Sequence, residues 1–383
     1  MKKIITMILS IAMLSLPMAA YSKAEGGDEK RVKVGIVTGT SSSDKDSYEA
    51  AKKMYDLYQL RNKDKNSNDE IKHFVLPANS NGAKKLVDKI VADENMNAVV
   101  FSGNDKNMLS CINDIKSKRD DLLLMGADLS MTAEEMSKNL DLSYIPAEES
   151  SGKDTAMLAK EMGAEAFVVY YSEKDLKDNK NLSKKIEDMK KECANQGVEF
   201  TEVKVADINS KEDEYKVKKF ISEDIEKQIY KYGKNVNLYG TNSTMDDVII
   251  KRAIKSRLII AETSDGCIEN DLRDLYRTII KSAERGNFKG NVSLLAGKNS
   301  KYNMDRRVGG LLMPNDTFAI YSAVDTAIAA IAALEQDVNE NKLCMASFIE
   351  KSISEKDGIS GAFRNAKPGM KNVKIVSVDQ VIY

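Results

Sequence analysis

The sequence predicts an α/β fold made of two Rossmann-like lobes, each on a parallel sheet. Three observations carry this. Short apolar, β-branched runs alternate with longer amphipathic ones, the pattern of βαβ units. The alternation pauses mid-chain and resumes, giving two consecutive sets of units. A chain of 383 residues also exceeds what one core of ordinary size organises.

The chain begins MKKIITMILSIAMLSLPMAAYS, with two lysines, an apolar run of signal length, and Ala20 and Ser22 at small-residue cleavage positions. It reads as a signal peptide over residues 1–22, too short for a membrane span. A lipid-anchored protein carries a cysteine just after its signal, whereas the first cysteine here is Cys111, so the expectation is a free periplasmic protein without a tether. Loss of Lys2 and Lys3 with the signal moves the formal charge from -1 to -3, which offers no electrostatic footprint for nucleic acid or an anionic membrane. Residues 23–30, KAEGGDEK, read as a flexible leader.

RVKVGIVTG is the first strand, and Asp44–Gln59 is a helix with Tyr48, Ala51, Met54, Tyr55 and Tyr58 on one face. EIKHFVLP, NAVVFSG and DLLLMGAD are strands separated by the helices GAKKLVDKIVAD and NMLSCINDIKSK, and a weaker strand, LDLSYIPA, closes the run. The second run has strands AEAFVVYYS, VEFTEVKVAD, NVNLYGTN and RLIIAETS. Its helices are Leu176–Asn195, DEYKVKKFISEDIEKQIYKYG and MDDVIIKRAIK. Residues 287–304, rich in Gly, Asn, Lys and Ser, read as a surface excursion. RVGGLLMP resumes as a strand, and NDTFAIYSAVDTAIAAIAALEQ follows as a helix apolar on nearly all faces. Asp325 near its middle argues for a core helix over a membrane span. NVKIVSVDQVIY closes the chain as one or two strands.

Catalytic and metal-binding patterns are sparse. His73 is the single histidine and lies inside a strand, and no nucleophile elbow, P-loop, HExxH pair or GxGxxG is present. The scattered Cys111, Cys193, Cys267 and Cys344 lack metal-ligand spacing; Cys111 and Cys193, in helix-like stretches, read as buried thiols, and the disulfide state of all four is open. Neither a metal nor a cofactor is expected. Asp105, Asp128, Glu262 and Asp265 fall near strand ends and leave open a histidine-independent hydrolase. The turn in VGIVTGTSSS has one glycine, Gly39, too few for a pyrophosphate cradle; its hydroxyls suit a polar ligand or the capping of the next helix.

KVGIVTGTSSSDKDSYEAAKKM and VNLYGTNSTMDDVIIKRAI resemble the first strand, ligand loop and helix, and a second-lobe strand and turn, of the type I periplasmic solute-binding proteins. EKQIYKYGKNVNLYGTN, with the later IKR, is also similar to an uncharacterised bacterial family of this fold, domain of unknown function 3798. The resemblance implies a three-crossover hinge, with crossings near 147–150, 311–315 and 339–343. It implies an N-terminal lobe of residues 31–147 with 315–338, and a C-terminal lobe of 148–314 with 339–383. It further implies a monomer that captures a small polar solute, sugar, nucleoside or amino-acid-like, between the lobes and delivers it to an ABC permease. Presentation to a membrane receptor is the alternative. The implied ligand contacts are Thr40, Ser41, Ser42, Ser102, Gly103, Asn104 and Asp128 in the first lobe. In the second they are Tyr171, Ser172, Thr241, Asn242, Ser243, Glu262 and Thr263, with Asn315 and Asp316 after the late strand. Tyr48, Phe101, Tyr170, Tyr171 and Tyr239 are the rings expected near the cleft.

Overall fold

The computed structural model describes residues 31–63, 67–147, 151–278, 288–334, 343–356 and 358–383. The expected signal and leader, residues 1–30, lie outside them.

Strands β1 (Lys33–Thr38), β2 (Glu70–Val75), β3 (Ala98–Gly103), β4 (Leu123–Leu129) and β5 (Leu142–Pro146) are parallel and stand in the order β2-β1-β3-β4-β5. β1 and β3 are buried along their whole length, which explains their uninterrupted apolar sequences. Helix α1 (Lys45–Lys63) covers one face through Ala50, Ala51, Met54, Leu57 and Tyr58. α2 (Ser80–Val91), α3 (Met108–Lys118) and α4 (Ala133–Asn139) cover the other. Asn79 caps α2, and Thr132 with Glu135 forms a reciprocal capping box on α4. The TAEE sequence was a signal for α4, which the reading from periodicity did not include.

After β5 come α5 (Gly152–Glu161), β6 (Ala166–Tyr171), α6 (Glu173–Asp178), α7 (Leu182–Asn195), β7 (Glu199–Lys204), α8 (Lys211–Tyr232), β8 (Val236–Gly240) and α9 (Ser243–Ser256). The parallel order β7-β6-β8 repeats the start of the first sheet. Single parallel bridges, Asn237 to Ile259 and Ile260 to Val308, extend it where RLIIAETS was expected to form a full strand. α10 (Glu269–Leu275) and α11 (Phe288–Lys301) follow. The expected excursion at 287–304 is therefore mostly helix: Leu295 is fully buried in the second core, and that contact overrides the local glycines.

β9 (Gly309–Leu311) leads into α12 (Asn315–Leu334), which packs on β1, β3, β4, β5 and α1. Phe318, Ile320, Val324 and Ile328 enter the first core, and buried Asp325 accepts from Tyr58 Oη at 3.0 Å. The all-round apolar character of α12 is thus that of a helix buried in protein. Among the described residues no helix is long and apolar enough to cross a membrane.

The tail corrects the sequence reading. α13 (Ala346–Lys356) packs on α12, and β11 (Val373–Val378) runs parallel beside β5, with β10 (Gly361–Asn365) antiparallel outside it. Ile349, Ile353, Phe363, Val376 and Val378 are buried in the first core, so residues 346–356 and 358–378 belong to the first lobe rather than the second. Only β12 (Gln380–Ile382) joins the second lobe, antiparallel to β9. The third crossing accordingly falls at Asp379, not at 339–343; residues 335–342 lie outside the described set.

The three crossings touch. Asn315 Nδ2 donates to Ala147 O at 3.2 Å, and Val378 N donates to Asn315 Oδ1 at 2.9 Å, so one buried side chain ties the second crossing to the first and third. Leu312 N also reaches Asp379 O at 3.4 Å. Replacing Asn315 by Ala leaves a buried N–H without its acceptor, and should lower unfolding stability by about 2 kcal/mol. Urea unfolding of the two proteins checks this; equal midpoints and slopes would show that the clasp contributes nothing.

Candidate functional site

The carboxyl ends of β1, β3 and β4 bring one group of the expected residues together. Thr40 Oγ1 lies 3.0 Å from Ser42 Oγ and 2.9 Å from Ser43 Oγ, and Asp44 N donates to Thr40 O at 2.9 Å. The serine-rich loop is therefore a self-bonded turn ahead of α1, with Ser41 and Ser42 exposed. Asp44 reaches across to β3, where its Oδ2 accepts from Asn104 N at 3.3 Å. Gly103 has φ +104°, and a Cβ there would stand 1.5 Å from Asp44 Oδ2, so glycine is required both by the backbone and by this close approach. Ser102 is fully buried, and its hydroxyl has no hydrogen-bond partner among the described residues.

Asp128 ends β4 in the left-handed region, φ 51°. Burial is the main force raising its pKa to about 6, followed by the negative charges of Asp316, Asp44 and Asp46. Sequence reasoning singled out Asp128 and Asp316 but not Asp44 and Asp46 as site residues. The acid-rich start of α1 was their signal.

In the second lobe the expected residues are largely engaged with one another. Ser172 caps α6, and Asn242 caps α9 by accepting from Met245 N at 3.1 Å. Asp175 accepts from Thr241 Oγ1 at 2.5 Å and from Asn242 Nδ2 at 2.9 Å. Thr263 Oγ1 donates to Asp265 Oδ1 at 2.7 Å. Tyr171 is half-buried, and Ser243, the first residue of α9, is exposed. Asp246 accepts from Ser264 N at 2.9 Å; its pKa rises to about 7, mainly by burial.

Two expected contacts hold the framework instead. Glu262, fully buried, accepts from Lys185 Nζ at 2.8 Å, Thr155 Oγ1 at 2.9 Å and Gln380 Nε2 at 3.3 Å, joining α7, α5 and β12. The Asn315 amide is occupied by the crossings. Phe101, Tyr170 and Tyr239 are core residues, whereas Tyr48 packs on His73 with ring centroids 5.0 Å apart. Burial, then the charge of Lys52, lowers the His73 pKa, and Nε2 lies 2.8 Å from Thr38 Oγ1. The cysteines are all free, and burial is the main force raising the Cys111 thiol to about 11.

Burial raises the pKa of Glu269 on α10, and the charges of Arg273 and, more weakly, of Lys53 on α1 oppose it. Beside the crossings a groove of about 1570 Å³ runs between α5 and α7 on one side and β10 and β11 on the other, lined by Asp154, Leu158, Lys185, Arg364 and Ser377. Of the expected ligand contacts, Asn315 alone lines it.

Two open sheets of like strand order joined by three adjacent crossings form the type I periplasmic binding protein fold. The model of a family described as "Protein of unknown function (DUF3798)" matches residues 32–268. The chain belongs to this family. A solved structure from Clostridium difficile 630, named as a candidate transcriptional regulator, is 31% identical, with a TM-score of 0.75 over 92% of this chain and 99% of that one. More distant likenesses include a sugar ABC transporter from Actinomyces odontolyticus ATCC 17982, 12% identical with a TM-score of 0.44, covering 92% of this DUF3798 chain and 95% of the other. A branched chain amino acid ABC transporter periplasmic ligand-binding protein from Burkholderia xenovorans LB400 is 11% identical with a TM-score of 0.39, over 92% and 96%. No curated protein matches the sequence.

Asp128 gives a pH test with a defined sign. Its folded pKa lies above the ordinary 3.8, so its ionised form destabilises the protein above pH 6, and the penalty is relieved as pH falls from about 6 towards 3.8. Asp128→Asn should therefore stabilise the protein at pH 7.5 by about 1–2 kcal/mol, after discounting for partial exposure, and lose this advantage near pH 4. Asparagine accepts the left-handed backbone. Unfolding curves at the two pH values measure the difference; a pH-independent offset would contradict this origin.

Proposed function

We propose that this protein is an exported binding protein that captures a small polar ligand between its two lobes and releases it to a membrane partner, an ABC permease. The observation that carries the reading is the joint: three adjacent crossings, clasped by Asn315, connect two separately cored lobes. Such a joint lets the lobes change angle by small backbone rotations while both cores stay intact. A ligand that touches both lobes then favours the closed arrangement by its differential affinity.

The signal-like residues 1–22 support export, and the near-balanced charge speaks against a nucleic-acid surface. The regulator name belongs to the Clostridium difficile protein. No catalytic step is proposed: His73, the single histidine, is held by Thr38 and Tyr48, and Glu262, a candidate acid, is bound by Lys185.

Mass spectrometry of small molecules released from the purified mature chain should identify a ligand. Adding that ligand back to stripped protein should raise the melting temperature in a concentration-dependent way. Failure of every recovered molecule, and of a broad library of sugars, nucleosides and amino acids, to shift melting would overturn the reading.

A further inference from the structure

Asp246 joins two loops of the second lobe that carry expected ligand contacts. It stands in the first turn of α9, just after Thr241, Asn242 and Ser243. Its Oδ2 accepts from Ser264 N, at 2.9 Å, and from Ser264 Oγ, in the loop that holds Glu262 and Thr263. Its own N–H donates to Asn242 O at 3.1 Å, and Asp175 of α6 ties Thr241 and Asn242 from the other side. The loops after β6 and β8 and the loop 262–265 thus form one hydrogen-bonded arc. Gly240, at the end of β8, makes room for it: a Cβ there would stand 2.8 Å from Met245 Cβ and 3.1 Å from Asp246 Oδ1.

The Asp246 carboxyl is buried, and no ion pair reaches it among the described residues. Cations on the surrounding helices pair elsewhere: Lys218 of α8 with Glu214 and Asp247, Lys251 of α9 with Asp247, Arg252 with Glu226, and Arg273 of α10 with Glu269. The charges that act on Asp246 are those of Asp265 and Asp271, of its own sign. The Ser264 donors favour the ionised form, and burial outweighs them.

We infer that Asp246 is a pH-sensitive latch across the second lobe's expected ligand face, held shut over a neutral carboxyl and loosened when that carboxyl ionises and takes up water. Its bearing on ligand capture rests on the binding-protein reading above; the latch itself does not. With the loops shut Asp246 keeps its proton up to a pKa of about 7, against the ordinary 3.8 of a hydrated carboxyl. Opening is therefore favoured progressively as pH rises from 3.8 to about 7, and gains nothing more above that.

Hydrogen exchange of the mature chain between pH 5 and 8.5, read by mass spectrometry and corrected for the intrinsic exchange rate, tests this. Protection of the amides in 241–246 and 262–266 should fall about tenfold or more from pH 5 to pH 7 and then level off, with no such step in β1 and β3. Asp246→Asn should abolish the dependence. Ser264→Ala, which removes one donor to the ionised form, should move the levelling to higher pH. Circular dichroism checks that both variants fold, and wild type with Ser264→Ala decides the matter if Asp246→Asn does not. Protection independent of pH in the wild type, a wild-type dependence in Asp246→Asn, or an unmoved levelling in Ser264→Ala would overturn the latch and leave the binding-protein reading standing. Failure of every recovered molecule to shift melting removes that reading and leaves the exchange result as it is.

Discussion

One asparagine side chain holds together the three strands of backbone that join the lobes. Asn315 donates to Ala147 and accepts from Val378, so a residue at the first turn of α12 fixes where β5 leaves the first lobe and where β11 does. Everything else depends on that alignment. β9 and β12 can pair in the second lobe because the segments entering it lie side by side, and the backbone hydrogen bond from Leu312 to Asp379 just beyond their ladder follows from the same adjacency. A buried amide with both its donor and acceptor used is costly to displace, so the three crossings stay in register at this point.

Each body is closed around its own apolar core. Apolar faces of α1 and α12 close one side of the first sheet, and the buried Glu262–Lys185 pair locks α5, α7 and β12 on the second lobe beside the joint. Breaking one partner of such a pair leaves a buried charge, so it specifies the arrangement more than it adds net stability. At the end of β4, Asp128 takes a left-handed backbone, and burial raises its pKa, which costs stability while the carboxylate is ionised.

Much of this was legible in the sequence. Periodicity located the strands of the first sheet and the long helices, because the buried strands read as continuous apolar runs and the helices as amphipathic faces. It failed where tertiary contact overrides local preference. α11 contains Gly290 and Gly297 yet is helical, since Leu295 is buried. The final strand could have joined either lobe: the text NVKIVSVDQVIY shows an extended run but not its neighbour, and pairing with β5 is a long-range choice. Among the expected ligand contacts, strand-end position alone could not separate rim residues such as Asp128 from Glu262 and Asn315, whose partners lie on distant segments. The pairing of Thr241 and Asn242 with Asp175 was hidden for the same reason.

Small-angle X-ray scattering of the mature chain, stripped of ligand and then saturated with the molecule that copurifies with it, tests the two-lobe capture most directly. The radius of gyration should fall on saturation and the scattering fit a closed arrangement, and Asn315→Ala should broaden the unliganded profile. Superimposable curves with and without bound ligand would contradict closure about the Asn315 joint.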